Sequence, residues 1–506
     1  MVSDEELRSG NIFNLFWKFT FPAVVGVIIV GIQEIIDGFF IGNAVGNQGL
    51  AGITLAYPPY LIIIGAGIII GIGSSSLTAL KLGKGNKKEA FEIVHNAFPL
   101  SLLTGAIFTV GGLIFCETSL GLLGTDGPAL FFAREYLRII FAGSVFMVLA
   151  ISLDPLVRND GKPRLCMHIM AAGVVINIVL DYFFVMRMGM GMPGAAAATI
   201  LSFVLPAVLL MRYLFGSEAK LKLRLRSMSF KPVTVLQIFK AGTPSFAMQI
   251  SFALLLFAHN YMLLRYGSEL AVSAYGIIGY VFSIFYMLFE GIALGVQPIM
   301  GFNYGAGSYE RVSKTLKLTM LSCILVGVFG FMLICLFPET LVQLFSQNDP
   351  ELLEITLRGM NIGMFSLLVE GIVLLTSIYY QSINRVRAAL FINLGKIFIF
   401  LFPLLFILPL FFGLDGVWSA SPVAEYFMVI LVMVMLSKEF RFLRESAKAV
   451  TGKPADLKTN AKANIRASTK AEAKYAPSVS RSSVKAGSKE STGFVAFKHA
   501  ENAESS

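Results

Sequence analysis

The sequence predicts an all-α, polytopic membrane protein with twelve transmembrane helices in two parallel six-helix halves. Three observations carry that prediction: little charge, twelve apolar runs of membrane-spanning length, and motifs that return at one fixed offset. Of 506 residues, 56% are hydrophobic and 14% charged, with a mean hydropathy of +0.74. That balance is too apolar for a soluble globular protein of this size.

A helix that crosses hydrocarbon needs about 20 mostly apolar residues. Such runs fall at about 15–36, 50–75, 92–115, 133–156, 165–186, 194–214, 236–261, 270–298, 313–337, 357–380, 389–412 and 416–436. Barrel strands are a poor reading, because the runs lack a short period-two alternation and backbone polar groups in lipid need partners within a helix or a closed barrel. The N-terminal MVSDEELRSG is polar and acidic, with no short apolar core and small-residue cleavage site behind it, so no cleaved signal peptide is expected. The first apolar run, interrupted only by Lys18, Gln33 and Glu34, would itself direct insertion. Cys116, Cys166, Cys323 and Cys335 lie scattered in or beside apolar runs without CxxC spacing, and read as packing residues.

Charge then orients the chain. Connections after even-numbered runs carry Lys81, Lys84, Lys87 and Lys88, then Arg158, Lys162 and Arg164, then a block from Arg212 to Lys240, then Arg311, Lys314 and Lys317, then Arg385 and Arg387. Connections after odd-numbered runs are mostly acidic. The positive-inside rule predicts a multi-pass protein of the cell (plasma) membrane with both termini cytoplasmic. From Lys438 onward, 14 Lys/Arg face 7 Asp/Glu, so most of the formal charge of +10 lies in a tail and signals no nucleic-acid partner. The halves also repeat: LFWKFTFPA with Pro22 answers IFKAGTPSFA with Pro244, LGKGNKKEA with Gly83 and Gly85 answers NYGAGSYERV with Gly305 and Gly307, and MPGAAAAT with Gly194 answers LDGVWSAS with Gly416. All three pairs are 222 residues apart, which indicates duplication of a six-helix unit; six being even, the copies are parallel. The resulting organisation is an N-terminal lobe over 1–215, a linker over 216–235, a C-terminal lobe over 236–440, and a basic tail over 441–506 expected to be disordered and cytoplasmic. The linker's alternating basic and apolar residues suggest a stretch lying along the cytoplasmic face, cations outward, with anionic lipid as partner.

Charge inside apolar helices marks the candidate chemistry, because a carboxylate in hydrocarbon costs roughly 2.5–3.5 kcal/mol on insertion scales. Asp37 is the first candidate; the alternative places it just past the membrane edge at a helix end. Asn177 and Asp181, four apart in NIVLD, share a helical face. With Asp37 and the hydroxyl of Thr199 they form an oxygen-rich set for Na⁺, or a carboxylate pair sharing a proton; alternatively, Asn177 and Asp181 end the fifth helix and hold a loop. The repeat offset puts His259 opposite Asp37 and Ser421 opposite Thr199. His259, Glu290 and Glu370 are candidates for lining a cavity, each with a packing alternative; Lys396 is a further basic candidate, and Glu425 reads as structural. Aromatic and methionine residues such as Phe39, Phe146, Tyr182, Phe282, Tyr286 and Met287 offer adaptable contacts. GIGSSS and the GxG loops contain no GxxxxGK[ST], and the four histidines form no ligand run, so neither ATP hydrolysis nor another enzyme activity is expected.

Taken together, FPAVVG, IIDGFFIGNAVGNQGLAG, LGKGNKKEA, RNDGKPR and NYGAGSYERV, in this order within twelve paired helices, resemble the multidrug and toxic compound extrusion (MATE) transporters, on the side of their bacterial MepA-like and DinF-like branches. The resemblance spans roughly residues 10 to 440. It implies a cation-coupled (Na⁺ or H⁺) antiporter that exports amphipathic, often cationic organic compounds by alternating access, needing no cofactor beyond the coupling ion, with membrane lipids and small organic cations as partners and a monomer as the working unit. It also implies a cation site at Asp37, Asn177, Asp181 and Thr199, and a gating role for Pro22 in bending helix one; the alternative for Pro22 is a helix-start proline. Another branch places cation-binding carboxylates in the C-terminal half, one of them on helix seven, where Gln249 to Phe257 here contains none. The competing function is a flippase for lipids or lipid-linked oligosaccharides, which would call for a cavity rich in Arg and Lys.

Overall fold

The computed structural model describes residues 2–121, 128–343 and 350–451. Among them every regular element is helical. Twelve helices have membrane-spanning length: α1 Ile12–Ala44, α2 Ala51–Gly83, α3 Lys87–Thr118, α4 Ala129–Asn159, α5 Pro163–Arg187, α6 Gly191–Phe215, α7 Pro232–Tyr266, α8 Leu270–Gly305, α9 Tyr309–Leu336, α10 Pro350–Ser382, α11 Val386–Phe412 and α12 Leu414–Ala449. At 1.5 Å per residue they run about 38–54 Å, longer than the ~30 Å hydrocarbon layer, so they tilt or project beyond it.

Two differences from the boundaries read off composition bear on the site and the tail. Helix α1 continues to Ala44, which places Asp37 inside the helix and not past its end, and Pro22 well beyond its start. The last helix continues to Thr451, so residues 441–451 belong to it and not to a disordered tail. Leu443 and Glu439 are buried, and Glu439 is ion-paired with Arg385 and accepts from the Tyr379 hydroxyl at 2.8 Å; these anchors hold a basic, otherwise solvated stretch helical. Residues 452–506, with the expectation of disorder for them, lie outside the described residues.

Each half builds its own apolar core, around Ile63, Leu137, Ile140 and Met147 in the first and Phe285, Phe289, Tyr379 and Trp418 in the second. The cores exchange contributions. Phe16 at the start of α1 packs into the second core, and Ile238 at the start of α7 packs into the first; these two positions are related by the repeat.

The same reciprocity closes one end of the bundle. A methyl group at Gly83 would overlap the Phe302 carbonyl, and one at Gly305 would overlap the Leu80 carbonyl. Gly73 lies on Ile238 and Gly242, and its counterpart Gly295 lies on Thr20 and Phe19. Only glycine permits helices to approach this closely. Beyond each contact the chain turns at Gly85 (φ 76°) or Gly307 (φ 70°), so the two GxG loops share both packing and backbone geometry. Gln297 Nε2 of α8 donates to Ser76 Oγ of α2 at 2.9 Å across the seam.

The N-terminal segment lies over this closed end and touches both halves. Val2 N donates to Gly161 O at 2.9 Å, while Arg311 of the second half donates to Leu7 O at 3.0 Å. Val2 and Leu7 are buried with Leu15, Phe19, Ile299 and Phe302. The linker is stitched to the first half: the backbone N–H groups of Lys220 and Leu221 donate to the Asp160 carboxylate at 3.0 and 2.7 Å, and Leu221 and Leu223 are buried. Of the alternating leucines, Leu221 and Leu223 face protein and Leu225 is exposed. Lys220 Nζ turns to Val2 O at 2.8 Å.

Candidate functional site

In the first half, the structure brings Asp37 of α1 against Asp181 of α5. The two carboxyls lie within hydrogen-bonding reach of each other, with Gln33 on the Asp37 side and Asn177 on the Asp181 side. Asp181 and Asn177 are fully buried and Asp37 is partly buried. Five buried polar atoms gather here without a well-formed hydrogen bond: Asp37 Oδ1, both Asp181 carboxylate oxygens, and Oδ1 and Nδ2 of Asn177. Ionised carboxylates accept but do not donate, so nothing within the pair can satisfy it. Between two carboxylates, a proton or a small hard cation would supply such a partner. A π-helical turn, Tyr182–Arg187, begins directly after Asp181; such turns widen a helix and recur at functional sites.

Thr199 is buried on α6, where its hydroxyl donates to Ala195 O at 3.0 Å within its own helix. Pro22 is buried within α1, between Thr20 and Val24, whose backbones lie against Gly295 and Gly291 of α8. Gln33 was not singled out by sequence reasoning as a site residue, although its spacing of four from Asp37 is the signal that could have found it. The Glu34 side chain lies outside the described residues.

In the second half, the repeat-related position is closed. His259 is buried, its Nδ1 at 3.2 Å from Leu255 O, its Nε2 at 3.2 Å from Ser421 Oγ, and its ring stacked on Tyr275 at 5.0 Å. Charge sits elsewhere in this half. Lys396 Nζ of α11 lies 3.1 and 3.2 Å from the two Glu370 oxygens of α10 and 2.5 Å from Glu425 Oε1 of α12. Tyr286 of α8 is in electrostatic range of this triad and of Glu290 on its own helix. Glu425 read as structural from sequence, and no spacing along the chain links it to Glu370 and Lys396. Among the described residues, no group of three or more His, Cys, Asp or Glu side chains is placed to hold a metal ion.

Two six-helix halves that interlock at one end and bury acidic groups within spanning helices define a polytopic membrane transporter. The chain belongs to the MatE family, the multidrug and toxic compound extrusion transporters: the family model described as MatE matches residues 22–183 and again 244–407. The second match starts 222 positions after the first, the offset of the internal repeat. Multidrug export protein MepA of Staphylococcus haemolyticus (strain JCSC1435) is 25% identical over 438 residues, which cover 86% of this chain and 96% of that protein. MepA of Staphylococcus aureus (strain MSSA476) is 25% identical over 440 residues with the same coverage. The solved structure of the MATE multidrug transporter DinF-BH superposes with a TM-score of 0.78 at 30% identity, covering 84% of this chain and 96% of that one. An outward-facing multidrug resistance MATE family transporter of the MOP superfamily shares the fold, with a TM-score of 0.83 at 22% identity over 87% of this chain and 98% of that one.

Proposed function

We propose that this protein is an antiporter of the cell membrane that uses Na⁺ or H⁺ to drive export of amphipathic, often cationic organic compounds. The observation that carries the reading is the buried Asp37–Asp181 pair, which has no donor of its own and lies where α1 and α5 meet. Two like charges in a poorly solvated place hold a cation or a proton strongly. Its arrival between α1 and α5 draws the helices together, and its departure repels them.

Binding therefore couples to the shape of the first half. Any ligand of the central space that favours one shape is then linked reciprocally to the ion, which is all that antiport requires. Family membership and the description of MepA relatives as multidrug exporters support the substrate class. With both termini cytoplasmic, as the loop charges indicate, the interlocked end faces the cytoplasm. Pro22 then serves as a point of flexure where α1 leaves that closed end. The protein works as a monomer and needs no cofactor besides the coupling ion.

Purified protein in proteoliposomes, given separate Na⁺ and H⁺ gradients and a panel of cationic dyes and labelled lipids, tests this. Dye export driven by one gradient is expected. Transport of lipid alone, or export indifferent to both gradients, would remove the proposal.

A further inference from the structure

The Glu370, Lys396 and Glu425 side chains come from three helices to one buried point. Glu370 and Glu425 are 4% and 5% exposed, and Lys396 lies ten residues into α11, about 15 Å along it and so at hydrocarbon depth. The ammonium contacts both Glu370 oxygens and one of Glu425. The remaining oxygen, Glu425 Oε2, is buried and receives no hydrogen bond, while the Glu425 and Glu370 carboxyls lie within hydrogen-bonding reach of each other.

Written with both acids ionised, the arrangement fails twice. The carboxyl–carboxyl contact has two acceptors and no donor, and one ammonium leaves one of two negative charges uncompensated away from water. The neighbouring ionisable groups, Tyr286 and Glu290 of α8, bring no positive charge. One proton corrects both faults, since it supplies the absent donor and makes the triad neutral.

We infer that Glu370, Lys396 and Glu425 form a proton-binding site that excludes alkali metal ions, the proton residing on Glu425 and shared with Glu370. Exclusion follows from geometry. The Lys396 ammonium already occupies the point between the acids that a metal ion would take, whereas a proton fits on the oxygen the ammonium does not reach. The site contrasts with the Asp37–Asp181 pair, which has no internal cation. Its consequence for transport, a second half whose net charge follows the proton, rests on the antiport reading; the site itself does not.

Infrared difference spectroscopy on purified full-length protein carrying Asp37→Asn and Asp181→Asn, which silences the first-half acids, tests it across a pH series with and without NaCl. A protonated-carboxyl C=O band is expected that Glu425→Gln removes and that NaCl leaves in place. In Lys396→Met on the same background, NaCl is expected to abolish the band. Retention of every such band in Glu425→Gln overturns the site. Loss of the band to NaCl while Lys396 is present, or indifference of Lys396→Met to NaCl, overturns the exclusion. Size-exclusion profiles check folding, and if Glu425→Gln does not fold, Glu370→Gln is read in the same way. Proteoliposome export is measured separately: a band present with export indifferent to any gradient removes antiport and leaves the site, and a band missing with gradient-driven export intact removes the site alone.

Discussion

Asp37 and His259 hold the same place in two copies of one six-helix unit, and the copies treat that place in opposite ways. In the first half, Asp37 meets another acid and buried oxygens are left without donors. In the second, both nitrogens of His259 are engaged and its ring is stacked on Tyr275. The partner position changes with it, since the Thr199 hydroxyl is spent on its own helix while that of Ser421 reaches the histidine. Duplication thus preserved the frame and not the chemistry. The second half moved its charge to α10, α11 and α12, where one lysine meets two carboxyls. Even the π-helical turn moved: it follows Asp181 in α5 and begins at Lys396 in α11, eight residues earlier than the repeat would put it. The lesson is that a duplicated scaffold becomes ion-responsive where one copy leaves polar groups unsatisfied, and becomes structural where the other satisfies them.

That contrast can be broken most sharply at the acid pair. Asp37→Asn and Asp181→Asn are each expected to reduce gradient-driven export in proteoliposomes to background while leaving the thermal midpoint unchanged or higher, because like-charge repulsion is relieved. Near-normal export by both variants would erase the distinction between the halves. In the second half, Lys396→Ala is expected to cost about 3–5 kcal/mol, as removing one partner of a buried ion pair does. Adding Glu425→Gln should recover part of that loss, which a double-mutant cycle on unfolding midpoints would read.

At the interlocked end, Gly305→Val should overpack the Leu80 backbone at a cost of about 1–3 kcal/mol and shift the two halves apart there, as measured by distances between spin labels on the loops at Gly85 and Gly307. An unchanged distance distribution would mean that the glycine contact does not set closure. His259→Gln should cost about 1–2 kcal/mol in thermal stability through lost hydrogen bonds and leave the choice of coupling ion unchanged; a switch of ion would show that the closed position is active after all. The smallest effect, under about 1 kcal/mol, is expected for Asp4→Ala, which removes an exposed ion pair with Lys220.

Much of the frame was legible beforehand because bilayer thickness and the positive-inside rule act on short stretches of chain. The twelve spans and the repeat followed from run length, loop charge and matched motifs, and the pairing of Asn177 with Asp181 followed from helical periodicity. Leu221 and Leu223 alternate with cations in the same way whether they face lipid or protein, so the sequence did not show that the Asp160 carboxylate, about 60 residues away, captures the linker backbone. The helix after Phe440 was missed because its anchors, Arg385 and Tyr379, come from other elements. Gln33 was visible but unweighted, since a single amide near a helix end has many ordinary uses.

By itself, then, the amino-acid order determined a membrane-spanning, all-helical chain built of two parallel copies, because hydrophobic length and charge asymmetry are local properties that the bilayer reads directly. Tertiary structure alone decided that Asp37 faces Asp181, that His259 is sealed by Ser421 and Tyr275, and that Lys396 lies between Glu370 and Glu425. Those outcomes depend on which faces of separate helices meet, and the rotation and depth of a helix in a bundle are set by close packing, glycine contacts included, which no periodicity within one helix specifies.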